Sequence, residues 1–230
     1  MKLTVLGKYG PYGKAGCGAA SGYLIEDDGF KMLLDMGSGT LSRMLSYVTP
    51  DELDGIFISH LHYDHTSDLL PFRYLLDETQ TKIKIYTEKS DSEWYRLLFN
   101  HPLFEIINVD ENSRLTIKGK EIEFFRMNHP APDLAIKIKG NGTFAYTGDT
   151  IYNENLIQLL NGCSLAVCDC SKPDHFIGGH MTAKNAHYLT ENTNVKMILA
   201  SHAAPDYEPK EEFSNNDRIT VAEELKTYEF

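Results

Sequence analysis

Apolar residues recur along this chain in short runs, some at strand spacing and some at helical spacing. Residues 2–6 form a first strand-like run that ends at Gly7. Residues 22–26 and 30–34 flank Asp27, Asp28 and Gly29. They predict a hairpin, because Asp-Gly tolerates the positive φ of a tight turn. A helix is expected over 41–48, stopped by Pro50. The apolar, β-branched run GIFIS at 55–59 has the composition of a buried strand. Thr66 or Ser67 is placed to cap a helix over 68–77. Residues 82–86 predict a strand and 91–99 a helix, followed by strands at 106–109, 114–117, 121–126, 135–138 and 143–146. Helices over 153–160 and 182–190 then alternate with strands at 165–168 and 195–200. Helices interleaved among so many strands predict stacked sheets with helices outside. No repeat or Pro/Gly/Ser-rich linker divides the chain, so residues 1–230 are expected to form one domain.

Composition narrows the class. The 230 residues are 42% hydrophobic with mean hydropathy −0.34, which is ordinary globular material. No apolar run approaches the roughly 18 residues of a membrane span. The N-terminus MKLTVLGKYG has no stretch of signal-peptide length, so a cytoplasmic location is expected. Lys and Arg number 22 against 33 Asp and Glu, a net charge of −11. Polyanions bind by releasing counterions to Lys and Arg, so this balance argues against long nucleic acid as a partner. Cys17, Cys163, Cys168 and Cys170 make no secreted disulfide framework in a chain this long. Cys168 and Cys170 alternate with Asp169, share one strand face, and are expected to be small buried residues.

The candidate chemistry lies in the histidines. HLHYDH at 60–65 packs His60, His62, Asp64 and His65 into six residues directly after the GIFIS strand. Positions i and i+2 of a strand end point the same way, so His60 and His62 can grip one ion. Asp64 and His65 fall where the chain turns into the next helix and can face a second. Imidazole and carboxylate suit zinc, iron or manganese. His129, Asp149 in TGDT and His202 each follow another apolar strand, where α/β sites gather.

HLHYDH with His129, Asp149 and His202 resembles the metallo-β-lactamase-fold hydrolase superfamily. The likeness runs from Asp35 in LLDMGSG to His202. It implies an α/β (α+β) architecture, a four-layer αβ/βα sandwich with a two-metal site between the sheets. It also implies the ligands: His60, His62 and His129 for the first ion, Asp64, His65 and His202 for the second, and Asp149 as the bridge. Asp35 would support the site from behind by orienting a ligand. HLHYD stands where the flavodiiron branch has HxExD, which argues against oxygen or nitric oxide reduction.

A second resemblance refines the branch. CDCS at 168–171 and GHMT at 179–182 are similar to paired motifs of the phosphodiesterase branch, which includes the tRNA 3′-processing endonucleases. There an acid at a strand end orients a histidine that opens a helix, and Asp169 and His180 match those two. Met181 departs from the usual serine and CDCS from the usual His-Glu-Ala-Thr. His129 and Asp149 are only twenty positions apart, too few for the tRNA-binding arm of those endonucleases. The Gly-rich segment GPYGKAGCGAASG and DLLPFRYLL resemble the compact members instead.

These features predict a metal-dependent hydrolase with two divalent ions, zinc first and manganese or iron as alternatives. Its substrate would be a small anionic phosphodiester, a cyclic nucleotide, dinucleotide or oligonucleotide. A hydroxide shared by the ions would attack phosphorus. Asp64, Asp169 and His180 are the candidate catalytic groups, with Arg73, Lys172 and Lys184 as candidate phosphate contacts. A lactone or thioester hydrolase of glyoxalase-II type is the alternative on the same metals. A homodimer is expected by resemblance, and no membrane partner is.

Overall fold

Asp27 and Asp28 do turn the chain between two antiparallel strands, and the second strand runs straight into the acid of the LLDMGSG motif. A computed structural model describes residues 1–16, 18–175, 178–207 and 209–230. Strands β1 (Lys2–Gly7), β2 (Gly22–Asp27) and β3 (Phe30–Leu34) pair antiparallel in chain order. Strands β4 (Gly55–Phe57), β5 (Ile83–Thr87) and β6 (Phe104–Asn108) extend that sheet in parallel. Helices α1 (Thr40–Met44), α3 (Leu69–Thr79) and α4 (Glu93–Phe99) cover its outer face, where Met44, Phe72, Leu76 and Leu98 pack on Leu24, Leu33 and Ile85. A four-residue helix, α2 (Tyr63–Thr66), lies between β4 and α3.

The second sheet starts with a meander, β7 (Arg114–Ile117), β8 (Lys120–Arg126), β9 (Leu134–Lys139) and β10 (Thr143–Tyr146). It continues in parallel through β11 (Leu165–Asp169), β12 (Ile198–Ser201) and β13 (Ile219–Val221). Helices α5 (Asn155–Leu160) and α6 (Ala183–Asn192) cover its outside. The last strand, β14 (Thr227–Glu229), returns to the first sheet beside β1, so each sheet has seven strands.

The inner faces close on one apolar layer. Phe57 meets Phe124 with ring centroids 5.5 Å apart, and Tyr23 meets Tyr146 at 5.0 Å. The result is the expected helix–sheet–sheet–helix stack. Among the described residues no helix is long and apolar enough to cross a membrane.

Several local expectations change. The GIFIS strand ends at Phe57, so His60 and His62 sit on a loop rather than on a strand end. Thr66 and Ser67 do not cap α3. Its N-cap is Asp68, whose carboxylate accepts the Leu41 N–H at 2.9 Å, while the Thr66 hydroxyl donates to the His62 carbonyl. Strands β13 and β14 are short and carry no alternation long enough to predict. Cys163, Cys168 and Cys170 are fully buried, the last two on one face of the β11 region against the helices. Burial pushes the Cys163 thiol up to about 11 and the other two higher still, which leaves all three as neutral packing groups. Cys17 lies outside the described residues.

At the end away from the histidines, the buried Asp27 carboxylate ties the sheets together. It accepts from Lys120 Nζ at 2.6 Å and from the Asn141 backbone and side-chain N–H groups at 2.9 Å. Burial opposes its charge, but the Lys120 and Asn141 hydrogen bonds outweigh burial and hold it below the usual carboxylate range. Its stabilisation is therefore complete above pH ~4 and is lost as pH falls through the depressed value. Asp27→Asn should cost about 2 kcal/mol at pH 7, a charge-assisted contact, and less in acid. Urea melts at pH 7 and pH 3, both with chelator so that metal release does not contribute, test this.

Candidate metal centre

Six strand ends supply the site. The chain leaves β3 at Asp35, β4 towards the segment 60–65, β8 towards His129, β10 towards Asp149, β11 at Asp169 and β12 towards His202. The motif residues far apart in sequence thus meet along one edge of the sandwich. Asp35 (φ 56°) and His202 (φ 58°) sit in the left-handed region, rare for residues with a Cβ. Such backbone concentrates where a side chain must be aimed.

His60, His62, His129 and Asp149 form one donor group. His60 Nε2 and His129 Nε2 lie 2.9 Å and 3.2 Å from His62 Nδ1. Asp64, His65, Asp149 and His202 form a second. His202 Nε2 is 3.1 Å from both Asp64 Oδ2 and Asp149 Oδ2, and His65 Nε2 is 3.3 Å from Asp149 Oδ1. Asp149 belongs to both groups, as a bridging position requires. His62 is open to solvent, whereas His60, His65, Asp149 and His202 are buried.

The electrostatics favour cation binding. Burial pulls His60 down to about 4, helped by the charge of His65. Burial, His60 and His129 bring His62 to about 4, and burial lowers His129 too. These three imidazoles are neutral at pH 7 and keep lone pairs to donate. Burial opposes the charge on Asp64, but His65 and His202 overcome it and bring the carboxyl to about 2. Asp149 is likewise lowered well below its ordinary value, against burial, by His202 and His65.

The residues fit a cation. His65 Nε2 and Asp149 Oδ1 are buried, close, and without a hydrogen-bond partner among the described residues. Buried polar atoms ordinarily find partners, and a cation between these two would serve both. The donor set of imidazole and carboxylate suits zinc, iron or manganese.

Behind the donors stand three carboxylates. Asp35, fully buried, accepts from His65 Nδ1 at 2.7 Å, the Ser59 backbone N–H and hydroxyl at 2.8 Å each, and Tyr146 at 2.6 Å. Asp169 accepts from His180 Nδ1 and the Thr150 N–H at 2.8 and 2.9 Å. The His180 ring stacks on His202 at 4.6 Å. Burial disfavours the charged His180 ring, but Asp169 more than compensates and raises its affinity for a proton. The third carboxylate, Asp133, escapes a reading of the sequence. It is fully buried, lies 2.7 Å from His60 Nδ1, and accepts the Asp149 N–H at 3.1 Å. A Cβ on Gly148 would sit 2.4 Å from it, so only glycine fits there. Its signal is its place in HPAPD, four residues past His129 and at the start of β9.

The other candidates divide. Gly10 brings the Gly-rich loop against His202, where a Cβ would lie 2.0 Å from Nε2. Lys172 is buried, 3.4 Å from the Gly10 carbonyl, and its charge acts on His180. Arg73 is no phosphate contact: its guanidinium donates to the Leu97 and Leu98 carbonyls and lies over Phe104. Lys184 is exposed on α6, with no contact among the described residues to the donor groups.

Known proteins resemble this chain in sequence and fold. A family model described as "Beta-lactamase superfamily domain" matches residues 20–203. The probable metallo-hydrolase YhfI of Bacillus subtilis (strain 168) is 29% identical over 212 residues, covering 88% of this chain and 86% of that protein. Its crystal structure superposes with a TM-score of 0.90 at 26% identity, over 99% of this chain and 98% of the other. A ribonuclease Z of Archaeoglobus fulgidus is 23% identical over 273 residues, 90% of this chain and 88% of that one. A diphosphatase of the PhnP family shares the fold, with a TM-score of 0.80 at 18% identity over 100% of this chain and 96% of the other. With motif, sandwich and donor groups in agreement with these matches, the chain belongs to the β-lactamase superfamily and is a metal-dependent hydrolase.

Proposed function

We propose that this hydrolase is a dinuclear phosphodiesterase for a small or short phosphodiester, such as a cyclic nucleotide, a dinucleotide or an oligonucleotide. His60, His62 and His129 would hold the first ion, Asp64, His65 and His202 the second, and Asp149 both. Zinc suits the donors best, with manganese or iron as alternatives. Two such ions, when bound, supply a water of lowered pKa and polarise the phosphoryl oxygens.

The observation that carries the reading is the contact of His180 with Asp169 beside the shared Asp149. Asp169 accepts the Nδ1–H bond, which fixes the ring's orientation, and its charge favours the imidazolium form. In that form Nε2 also carries a proton, which it can give to a departing alkoxide, leaving the neutral ring. Phosphodiester cleavage needs such an acid, because an alkoxide leaves poorly. Asp64, ionised and hydrogen-bonded to His202, can accept from the attacking water and orient it. Lys172 adds positive charge behind the Gly-rich loop. A small substrate is favoured over tRNA because β9 and β10 fill the interval between His129 and Asp149, and because the chain carries a charge of −11.

Hydrolysis of bis(p-nitrophenyl) phosphate beside a thioester and a lactone, on protein of known metal content, tests the reading. Phosphodiester turnover supports it. Turnover of only the thioester or lactone moves the function to the alternative on the same site. On a substrate with an alkoxide leaving group, such as a cyclic nucleotide, His180→Ala should lower kcat about 100-fold or more while two ions per chain remain, with a smaller loss on the p-nitrophenyl ester, whose phenolate leaves unaided. Full activity in that variant removes the acid role. His62→Ala and Asp149→Ala should instead lose metal, read by elemental analysis. Asp133→Ala should weaken metal affinity roughly 10–100-fold in a chelator competition, because His60 loses the group beside its Nδ1 that orients it.

A further inference from the structure

A hollow of about 560 Å³ opens directly beside the donor groups, with His62 and Asp64 in its wall. The rest of its lining is apolar or aromatic: Pro11, Leu61, Tyr63, Trp94 and Ala131, with Ser92 the one further polar residue. Its size and character are those of a ligand pocket. Among the described residues no Lys or Arg lines it, so it offers no cationic side chain to hold a second phosphate. Whatever part of a substrate enters it is held by apolar surface.

Two rings shape that surface. Tyr63 stands between the two donors on the first residue of α2, and 68% of it is exposed. Trp94 meets it with ring centroids 4.7 Å apart and planes at 69°. The pair forms an open corner in which a flat ring stacked on one side chain meets the other at a steep angle, both favourable aromatic geometries. Trp94 is held in place by the first turn of α4, where the Ser92 hydroxyl accepts the Tyr95 N–H at 3.1 Å.

We propose that this corner binds a flat aromatic ring of the substrate, a nucleobase or an aryl ester group, and that Tyr63 and Trp94 select for it. The inference rests on the phosphodiester reading above and adds to it the group the enzyme recognises. A substrate phosphate at the donors would place its attached group next to His62 and Asp64, at the mouth of the hollow. Stacking of a base on an aromatic side chain is strong enough to set a preference without any hydrogen bond to the base.

Trp94 is the chain's single tryptophan, so its emission reports the hollow directly. Zinc-loaded protein is titrated with AMP and with ribose 5-phosphate, two phosphate monoesters that differ by the base. AMP should bind about tenfold more tightly and change Trp94 emission, as stacking of one base predicts. In Tyr63→Ala and Trp94→Leu, read as inhibition constants corrected for each variant's KM for bis(p-nitrophenyl) phosphate, itself an aryl ester, the preference should fall below about twofold, on the same stacking scale. Ribose 5-phosphate inhibition and metal content should stay as in the parent. Tyr63 is exposed, so its variant keeps the test decisive if Trp94→Leu fails to fold. Equal binding of the two monoesters, or an unchanged preference in Tyr63→Ala, overturns the subsite while phosphodiester turnover stands. Absence of that turnover sinks the phosphodiester reading and this inference with it.

Discussion

The buried carboxylate of Asp35 is the constraint on which the site depends. A charge with no exposure to water is tolerated only if its lone pairs are filled, and this one accepts four hydrogen bonds. Those bonds come from the loop after β4, from α2 and from β10 of the opposite sheet. The same contacts that neutralise the cost of the charge therefore lock the two sheets in register and aim His65. Asp35 reaches its partners from a left-handed backbone position directly after β3. Local strain there is offset by what the four bonds hold in place.

The same device recurs twice more. Asp133 stands 2.7 Å from His60 Nδ1, and Asp169 accepts from His180 Nδ1 at 2.8 Å. His129 uses a backbone carbonyl instead, that of Gly179, at 3.0 Å. A histidine backed in this way presents one fixed tautomer and little rotational freedom. The donors are thus arranged before any ion arrives, and the burial that keeps His60 neutral completes the preparation.

Most of this was legible in the sequence, for an identifiable reason. HLHYDH, TGDT and the isolated His202 are short motifs whose residue types have few uses other than chemistry, and each follows a strongly apolar strand. Strands such as 114–117 and 143–146 keep the predicted bounds because alternation or flanking turns delimit them. Asp133 was not legible, because an acid next to prolines reads as a turn, and only the fold brings it under His60. The placement of His60 on a loop escaped too: GIFIS is apolar throughout, but the hydrogen-bonded ladder stops before it does. Strand β14 depends on a partner at the other end of the chain, and three residues carry too little pattern to announce it.

The rim bears on how a strongly acidic protein would hold the anionic substrate proposed for it. At −11 the long-range field repels polyanions, and among the described residues no Lys or Arg lines the hollow to reverse it. Recognition must then come from contacts that are short in range. The donor groups concentrate positive charge only when loaded, and the neighbouring hollow contributes apolar area contributed by four separate segments, those bearing Pro11, Tyr63, Trp94 and Ala131. Both terms act within a few ångströms. A short phosphodiester can satisfy them with its phosphate and one attached group, whereas a long one must also lay further phosphates along an acidic surface. If the proposed phosphodiester is the substrate, selection for size would follow from the charge of the whole chain, and selection for the attached group from the side chains that shape one corner.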